Sequence, residues 1–530
     1  MSPSSTPSIV ITDLGLSWPD GSIALERIST SFGSGRTGLT GLNGSGKSTL
    51  LRLIAGELTP TTGTISTTDA VAHLPQDLLL ATGSTLAAAL GIERKVQALQ
   101  AIYAGDATGE NFDALEDDWG IVERAQAVLS ELGFTAEANL GRDVSTLSGG
   151  EAVLAGIARL RLADAPIALL DEPTNNLDRR ARELLYAAVR GWRGALVVVS
   201  HDRELLDLMD DTAELRAGGI RVFGGNYSAF TEQLRIEQEA AQRMVRSAEQ
   251  NLRVEKRHRA EAEVKLASRA RFAQTAYENK REPKIIMNAR KGEAQVSAAK
   301  YRGVHARKVD QASASLAGAE ERVRSDDRIR IDLPGTAVPA GRTMLELASA
   351  PRPIVVRGLE RVALTGDNGA GKTTLLRQIV QDAPSERVPF RIDAVRYLPQ
   401  RLDTLDDSAS VLDNLRAAAP SATSNALRAQ LARFLIRGDR VDQPAGQLSG
   451  GERFRVSLAR ILLADVPPQL LLLDEPTNNL DLQSVDQLVD ALDAYRGALL
   501  VVSHDRAFLD RLGITTWLEL RDGLPVLAAP

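Results

Sequence analysis

An internal repeat constrains this chain more than any other feature. Gly41-Leu42-Asn43-Gly44-Ser45-Gly46-Lys47-Ser48-Thr49 returns as Gly366-Asp367-Asn368-Gly369-Ala370-Gly371-Lys372-Thr373-Thr374. Four more segments return in the same order. Leu74-Pro75-Gln76 becomes Leu398-Pro399-Gln400, and Leu147 to Glu151 becomes Leu448 to Glu452. Leu169 to Asp178 becomes Leu472 to Asp481, and Val198 to Arg203 becomes Val501 to Arg506. Five motifs do not recur in one order by chance, so the chain is a tandem duplication. The glutamine recurs after 324 residues but the Leu-Ser-Gly-Gly-Glu after only 301, so the first copy carries about 23 extra residues between them. Their expected place is Ile92–Leu132, helical with a polar break at Gly105–Asn111.

The copies are expected at 1–230 and 331–530, with a different kind of segment between, at 231–330. That segment is rich in Ala, Arg, Lys, Glu and Gln and nearly free of Gly and Pro before Pro283. This composition predicts two long helices joined by a turn around Arg281–Asn288. Arg253–Lys308 holds 16 Lys/Arg against 6 Asp/Glu, although the whole chain has a net charge of −6. A basic hairpin is thus set between two acidic bodies, which suits phosphate-rich RNA. Its turn places apolar Ile285, Ile286 and Met287 among Lys284, Arg290 and Lys291, a mixture fit for folded RNA. A solvated coiled-coil spacer is the plainer alternative. The absence of cysteine excludes disulfides, iron–sulfur clusters and thiol catalysis. No apolar run reaches 18 residues, so no bilayer span is expected. With no signal-peptide pattern at the start, the expected compartment is the cytoplasm.

Each glycine loop has the Gly-x-x-x-x-Gly-Lys-Ser/Thr form of a phosphate cradle opening a helix. Gly41, Asn43, Gly44, Ser45, Gly46 and Thr49 would line one cradle; Gly366, Asn368, Gly369, Ala370, Gly371 and Thr374 the other. Lys47 and Lys372 would reach the β- and γ-phosphates, and Ser48 and Thr373 would offer a hydroxyl to Mg²⁺. Asp171 and Asp474 end apolar runs that read as buried parallel strands, whose carboxyl ends face a ligand crevice. They would hold the Mg²⁺ shell, assisted by Gln76 and Gln400. Glu172 and Glu475 are placed to take a proton from an attacking water. His201 and His504, at another strand end, would contact the γ-phosphate. A lone histidine there is as easily a core residue, but this one recurs in register. Ser148-Gly149-Gly150 and Ser449-Gly450-Gly451 each open a helix and make a second anion site. One nucleotide needs only one such site per domain, so each is expected to cap the nucleotide of the other copy, Ser449 with Lys47 and Ser148 with Lys372.

Together these motifs resemble the ATP-binding cassette ATPases over both halves of the chain. Two cassettes, no membrane domain, a charged helical linker, Asp-Glu-Pro-Thr-Asn-Asn-Leu-Asp in both copies and Gly225-Asn226-Tyr227-Ser228 before the linker look like the ABC-F family. The resemblance implies an α/β fold of two tandem P-loop NTPase cassettes joined by a long antiparallel helical hairpin. It implies ATP hydrolysis with Mg²⁺ by a monomer whose two cassettes pair. It also implies binding to the ribosome, with the linker reaching towards the exit site, ribosomal RNA and peptidyl-tRNA. Resistance by ribosome protection and a role in translation are both open on these grounds. An ATPase subunit for a separately encoded transporter is the alternative. The copies are not identical. Ala152-Val153 follows the first Leu-Ser-Gly-Gly-Glu and Arg453-Phe454 the second; Trp18 can stack adenine in the first copy, whereas Gly335–Arg361 has no aromatic residue.

Overall fold

The computed structural model describes residues 6–76, 84–134, 139–175, 177–216, 218–278, 284–323, 329, 331–349, 352–381, 385–478, 480–521 and 523–529, with the backbone alone at 273–274, 276–278, 284–295, 298 and 334. Two compact units divide the chain: Met1–Tyr227 with Asp327–Pro530, and Ser228–Asp326. The first unit holds both sequence copies.

Each copy is built on a six-stranded sheet. In the first, the order across the sheet is Val71–Leu74, Ile167–Asp171, Ala195–Val199, Gly35–Gly41, Asp211–Arg216 and Gly219–Gly224. All neighbours are parallel except the last pair. The second repeats this with Val395–Leu398, Leu470–Asp474, Ala498–Val502, Arg361–Thr365, Thr516–Arg521 and Leu524–Leu527. The central strands are apolar at every position because both faces are covered. Ile167 and Leu169 pack with Leu50, Leu51 and Ile54 of the helix Lys47–Ile54. Ala168 and Leu170 face the other way, onto Leu154 and Ile157 of Gly149–Leu162 and Leu185 of Arg179–Arg190. The second copy divides in the same manner, Leu470 and Leu472 with Leu376 on one face and Leu471 and Leu473 with Phe454 and Leu488 on the other. This two-sided burial brings Asp171 and Asp474 out at the carboxyl ends of their strands.

A smaller antiparallel sheet fronts each copy. The first is Ile23–Phe32, Ile9–Ser17 and Thr62–Thr67; the second has only Ile354–Arg357, Thr343–Leu347 and Phe390–Arg391. The extra segment of the first copy forms helices Glu93–Tyr103, Gly109–Leu115 and Ile121–Glu131. The break is therefore shorter than expected from the sequence, since Gly109–Asn111 are already helical.

The linker unit is two long helices, Tyr227–Glu278 and Lys284–Glu320. Ala241, Ala248, Ala262, Val309 and Ala319 are buried, and Arg322 Nη1 lies 3.8 Å from Met244 Sδ of the first helix. The expected turn at Arg281–Asn288 is corrected on its second half. Lys284–Asn288 already belong to the second helix, because no Gly or Pro interrupts them and Pro283 stands just ahead, where a fixed φ favours helix entry. Arg281–Pro283 lie outside the described residues. So do the side chains of Lys284, Ile285, Ile286, Met287, Arg290 and Lys291, whose backbone is helical.

Candidate functional site: two composite phosphate-loop cavities

The loop of each copy ends on a glycine in the left-handed region, Gly46 at φ 97° and Gly371 at φ 96°. Neither following helix carries a side-chain cap, so its first N–H groups point into the loop undischarged, a setting for an anion. Lys47 Nζ donates to the carbonyls of Gly41 (2.9 Å) and Leu42 (3.0 Å). Lys372 Nζ donates to those of Gly366 (2.6 Å) and Asp367 (3.0 Å). Both lysines are buried, and burial pulls their ammonium groups below the ordinary range.

At the strand ends the backbone is strained twice in the same place. Glu172 and Glu475 adopt φ 48° and 44°, a left-handed conformation costing about 1–3 kcal/mol for such a residue. Their N–H groups donate to Val199 and Val502 on the neighbouring strands (2.9 and 2.8 Å), which holds them there. The turn directs each carboxylate to a histidine. His201 Nε2 is 3.2 Å from Glu172 Oε1 and 3.2 Å from Asn43 Oδ1. His504 Nε2 is 3.5 Å from Glu475 Oε1 and 3.1 Å from Lys372 Nζ. Against an ammonium donor, Nε2 of His504 is the acceptor, so its ring is neutral. Burial, with Lys372 and Arg182 adding to it, pushes that ring down to about 4. Burial and Lys47 lower His201 likewise. Burial raises the Glu172 carboxyl well above its usual range against the pull of Lys47, and carries Glu475 up to about 7 against Lys372.

Two cavities of about 450 and 420 Å³ surround these groups. The first gathers Asn43, Gly44, Gly46, Lys47, Ser48 and Thr49 with Gln76, Glu172 and His201, and Trp18 stands in its wall. The second gathers Asn368, Gly369, Gly371, Lys372, Thr373 and Thr374 with Gln400, Asp474, Glu475 and His504. Each is closed by the opposite copy. Thr477, Asn478, Leu480 and Val485 line the Lys47 cavity; Gly149, Leu177 and Arg182 line the Lys372 cavity. Asp481 caps its own helix by accepting from Ser484 N–H (2.7 Å) and with its other oxygen accepts from Asn43 N–H (2.8 Å) in the other cassette.

The two Ser-Gly-Gly turns behave differently. Gly149 reaches the Lys372 cavity, whereas Ser449, Gly450 and Gly451 are not among the described residues lining the Lys47 cavity. Ser148 and Ser449 cap their own helices, accepting from Glu151 and Glu452 N–H, while those glutamates bond back to the serine N–H groups. The Arg453-Phe454 difference faces its own cassette. Phe454 is core, and Arg453 Nε donates to the Leu402 carbonyl at 2.7 Å. Sequence reasoning gave no role to Asp481, Asn478 or Arg182. The first two lie in the repeated ten-residue motif, which was the available signal; Arg182 lies outside any repeat, and its counterpart in register is Val485.

Fold and cavities define a tandem P-loop nucleotide-binding protein in which each loop is closed by the opposite copy. The family model described as ABC transporter matches residues 25–175 and again 355–478. The tylosin resistance ATP-binding protein TlrC of Streptomyces fradiae is 32% identical over 549 residues, spanning 95% of this chain and 96% of that one. The ATP-binding protein Uup of Escherichia coli (strain K12) is 30% identical over 512 residues, spanning 91% and 75%. The chain belongs to the ATP-binding cassette family, as a tandem-cassette protein of the ABC-F type. Among solved structures, the archaeal ribosome recycling factor aABCE1, in complex with the ribosomal stalk protein aP1, aligns with a TM-score of 0.55 at 19% identity over 97% of this chain and 88% of that one. That likeness is one of fold. Among the described residues no helix is long and apolar enough to cross a membrane.

Proposed function

We propose that the protein is an ATPase of the ABC-F type that binds the ribosome, with residues 1–230 and 331–530 as its cassettes and 231–330 as the arm that meets RNA. The observation carrying the ATPase reading is the strained glutamate beside a buried aspartate, a loop lysine and a neutral histidine, present in both copies. ATP enters along the glycine loop, and the lysine exchanges its two backbone carbonyls for phosphate oxygens. The histidine Nε2 stands where it can hold the γ-phosphate or the water. Glu172 or Glu475 accepts the proton of that water as it attacks.

The residues fit Mg²⁺. Asp474 Oδ1 is buried without a hydrogen-bond partner among the described residues, while Oδ2 accepts from Tyr397 Oη at 2.8 Å. Asp474 with Thr373 and Gln400, and Asp171 with Ser48 and Gln76, would hold the ion. Bound there, Mg²⁺ supplies neutralisation of phosphate charge.

Nucleotide in both cavities adds contacts that only the closed pair of cassettes makes, so ATP favours closure and hydrolysis reopens it. In this reading closure favours ribosome binding, with the arm towards the exit site and peptidyl-transferase region, near peptidyl-tRNA, and the protein acts in the cytoplasm. The basic stretch of the first linker helix supports this: Arg253, Lys256, Arg257, Arg259, Lys265 and Arg269 are all exposed around it. Similarity to a tylosin resistance protein favours ribosome protection over a housekeeping role in translation. The E172Q/E475Q protein tests the chemistry. It should still bind ATP while turnover falls at least about 100-fold, the usual loss for a general base; unchanged turnover would remove both glutamates from the mechanism.

A further inference from the structure

Arg182 lies on the first turn of the helix Arg179–Arg190, which follows the Leu177-Asp178 segment. Together with Asn478 it lines both cavities, and it is the one charged residue among the described lining residues to do so. Its side chain is 15% exposed. Nε donates to the Leu177 carbonyl at 3.4 Å, and Nη1 pairs with Asp202 Oδ2 at 3.2 Å, an oxygen that also accepts from Tyr186 Oη at 2.6 Å. Two of the five guanidinium N–H donors are accounted for in this way. In the duplicated frame Val485 takes the same position on the second cassette and lines the Lys47 cavity. The partner cassette thus offers a valine to one nucleotide site and a guanidinium to the other.

The counter-ions sharpen this difference. Asp202 and Asp505 both line the Lys47 cavity, and neither is among the described residues lining the Lys372 cavity. Asp202, which holds Arg182 Nη1, thus lies on the Lys47 side of the guanidinium, and on the Lys372 side the guanidinium meets Glu475 and His504. The field of Arg182 reaches both groups, lowering the proton affinity of each.

We propose that Arg182 is a nucleotide-binding residue given in trans by the first cassette to the nucleotide on Lys372, and that this single guanidinium makes the two ATP sites unequal, the Lys372 site binding the triphosphate more tightly. The inference rests on the nucleotide-binding reading above. A polyphosphate ligand brings several negative charges beside a largely buried guanidinium, which counts for more there than at the surface. Valine at 485 gives the Lys47 site no such donor in trans, and the Arg182 edge that lines this site in cis carries Asp202.

The test uses the full chain in the non-hydrolysing E172Q/E475Q background, read by equilibrium dialysis of Mg-ATP. Adding K47A leaves the Lys372 site to be measured alone, and adding K372A leaves the Lys47 site. R182M should weaken ATP binding at the Lys372 site by about tenfold, the scale of one charge-assisted contact. R182K should recover most of it. The Lys47 site should change by less than about twofold. If R182M fails to fold, R182Q, which keeps length and a donor but not charge, carries the same expectation. Equal weakening at both sites would make Arg182 interface cement, and no weakening at the Lys372 site would remove it from binding; either result overturns the proposal. Loss of ATP binding in both backgrounds with Arg182 intact would instead refute the nucleotide reading itself, and this inference with it.

Discussion

The glycine at the end of each loop and the glutamate at the end of each strand set the demands of the site. Gly46 and Gly371 share a left-handed φ, yet their surroundings differ. A methyl on Gly46 would lie 2.6 Å from Leu25 Cδ2 and 3.0 Å from the Ala24 carbonyl, while one on Gly371 would find Leu520 Cδ2 at 3.9 Å. Both alanine variants bear the left-handed penalty of about 1–2 kcal/mol. G46A also forces a clash that adds about 1–3 kcal/mol. Thermal unfolding should therefore rank G46A clearly below G371A; equal losses would show that the first loop gives way freely. Glu475 gives a pH prediction. Its carboxyl titrates near 7 in the fold against about 4.5 in the unfolded chain, so the stability linked to it is present below the lower value and lost as pH rises through the upper one. In nucleotide-free protein with chelator, E475Q should be more stable than the parent at pH 8, by at most about 3 kcal/mol, and equal to it at pH 4. The lowered His504 works in the opposite direction between 6.5 and about 4, so the comparison is decided at pH 8, where that ring is neutral in the folded and unfolded chain alike. An equal stability at pH 8 would show that the carboxylate is not held against its charge.

Chemical identity at these positions was legible in the sequence because the same residues recur in register. Backbone strain at Glu172 and Glu475 was not, since both are ordinary residues in an ordinary motif. Nor was the bond from Asn43 N–H to Asp481, two residues 438 positions apart that meet only once the cassettes dock. The pairing of Ser449 with Lys47 is expected from the repeat, whereas the described residues that the second cassette brings to the Lys47 cavity include Thr477, Asn478, Leu480 and Val485 and not Ser449.

Among the elements, the parallel strands were the easiest to read. Ile167–Asp171 and Leu470–Asp474 are apolar to their last residue, which only a sheet covered on both sides explains. The linker helices were legible from composition, but the start of the second was not. Lys284–Asn288 looked like a turn because of Pro283, whereas a proline just before a helix marks its entry. The apolar residues at the start of the second helix lead to a prediction at this scale. Expressing the protein in a tylosin-sensitive host should raise the inhibitory concentration of tylosin, and alanines at Ile285, Ile286 and Met287 should erase the rise. A rise that survives the three alanines would move the recognition surface away from the tip, to the exposed cationic sides of the helices.

For the molecule as a whole, the duplication is what makes one chain able to act as its own partner. Asp481 on Asn43, and the ion pair of Arg203 Nη2 with Asp486 Oδ1 at 2.6 Å, tie the cassettes to each other with no second protein. The same duplication leaves room for divergence, and Arg182 against Val485 is where it enters the paired sites. Charge is divided as well: the basic residues concentrate in the linker unit while the chain as a whole is acidic, so binding through the linker should weaken steeply with salt. The central claim is that nucleotide held in both cassettes commits the protein to the ribosome. The most direct measurement pellets the E172Q/E475Q protein through sucrose with ribosomes, with and without ATP. The account predicts co-pelleting that requires ATP and diminishes at high salt. A variant that binds ATP and stays in the supernatant in both conditions would contradict it.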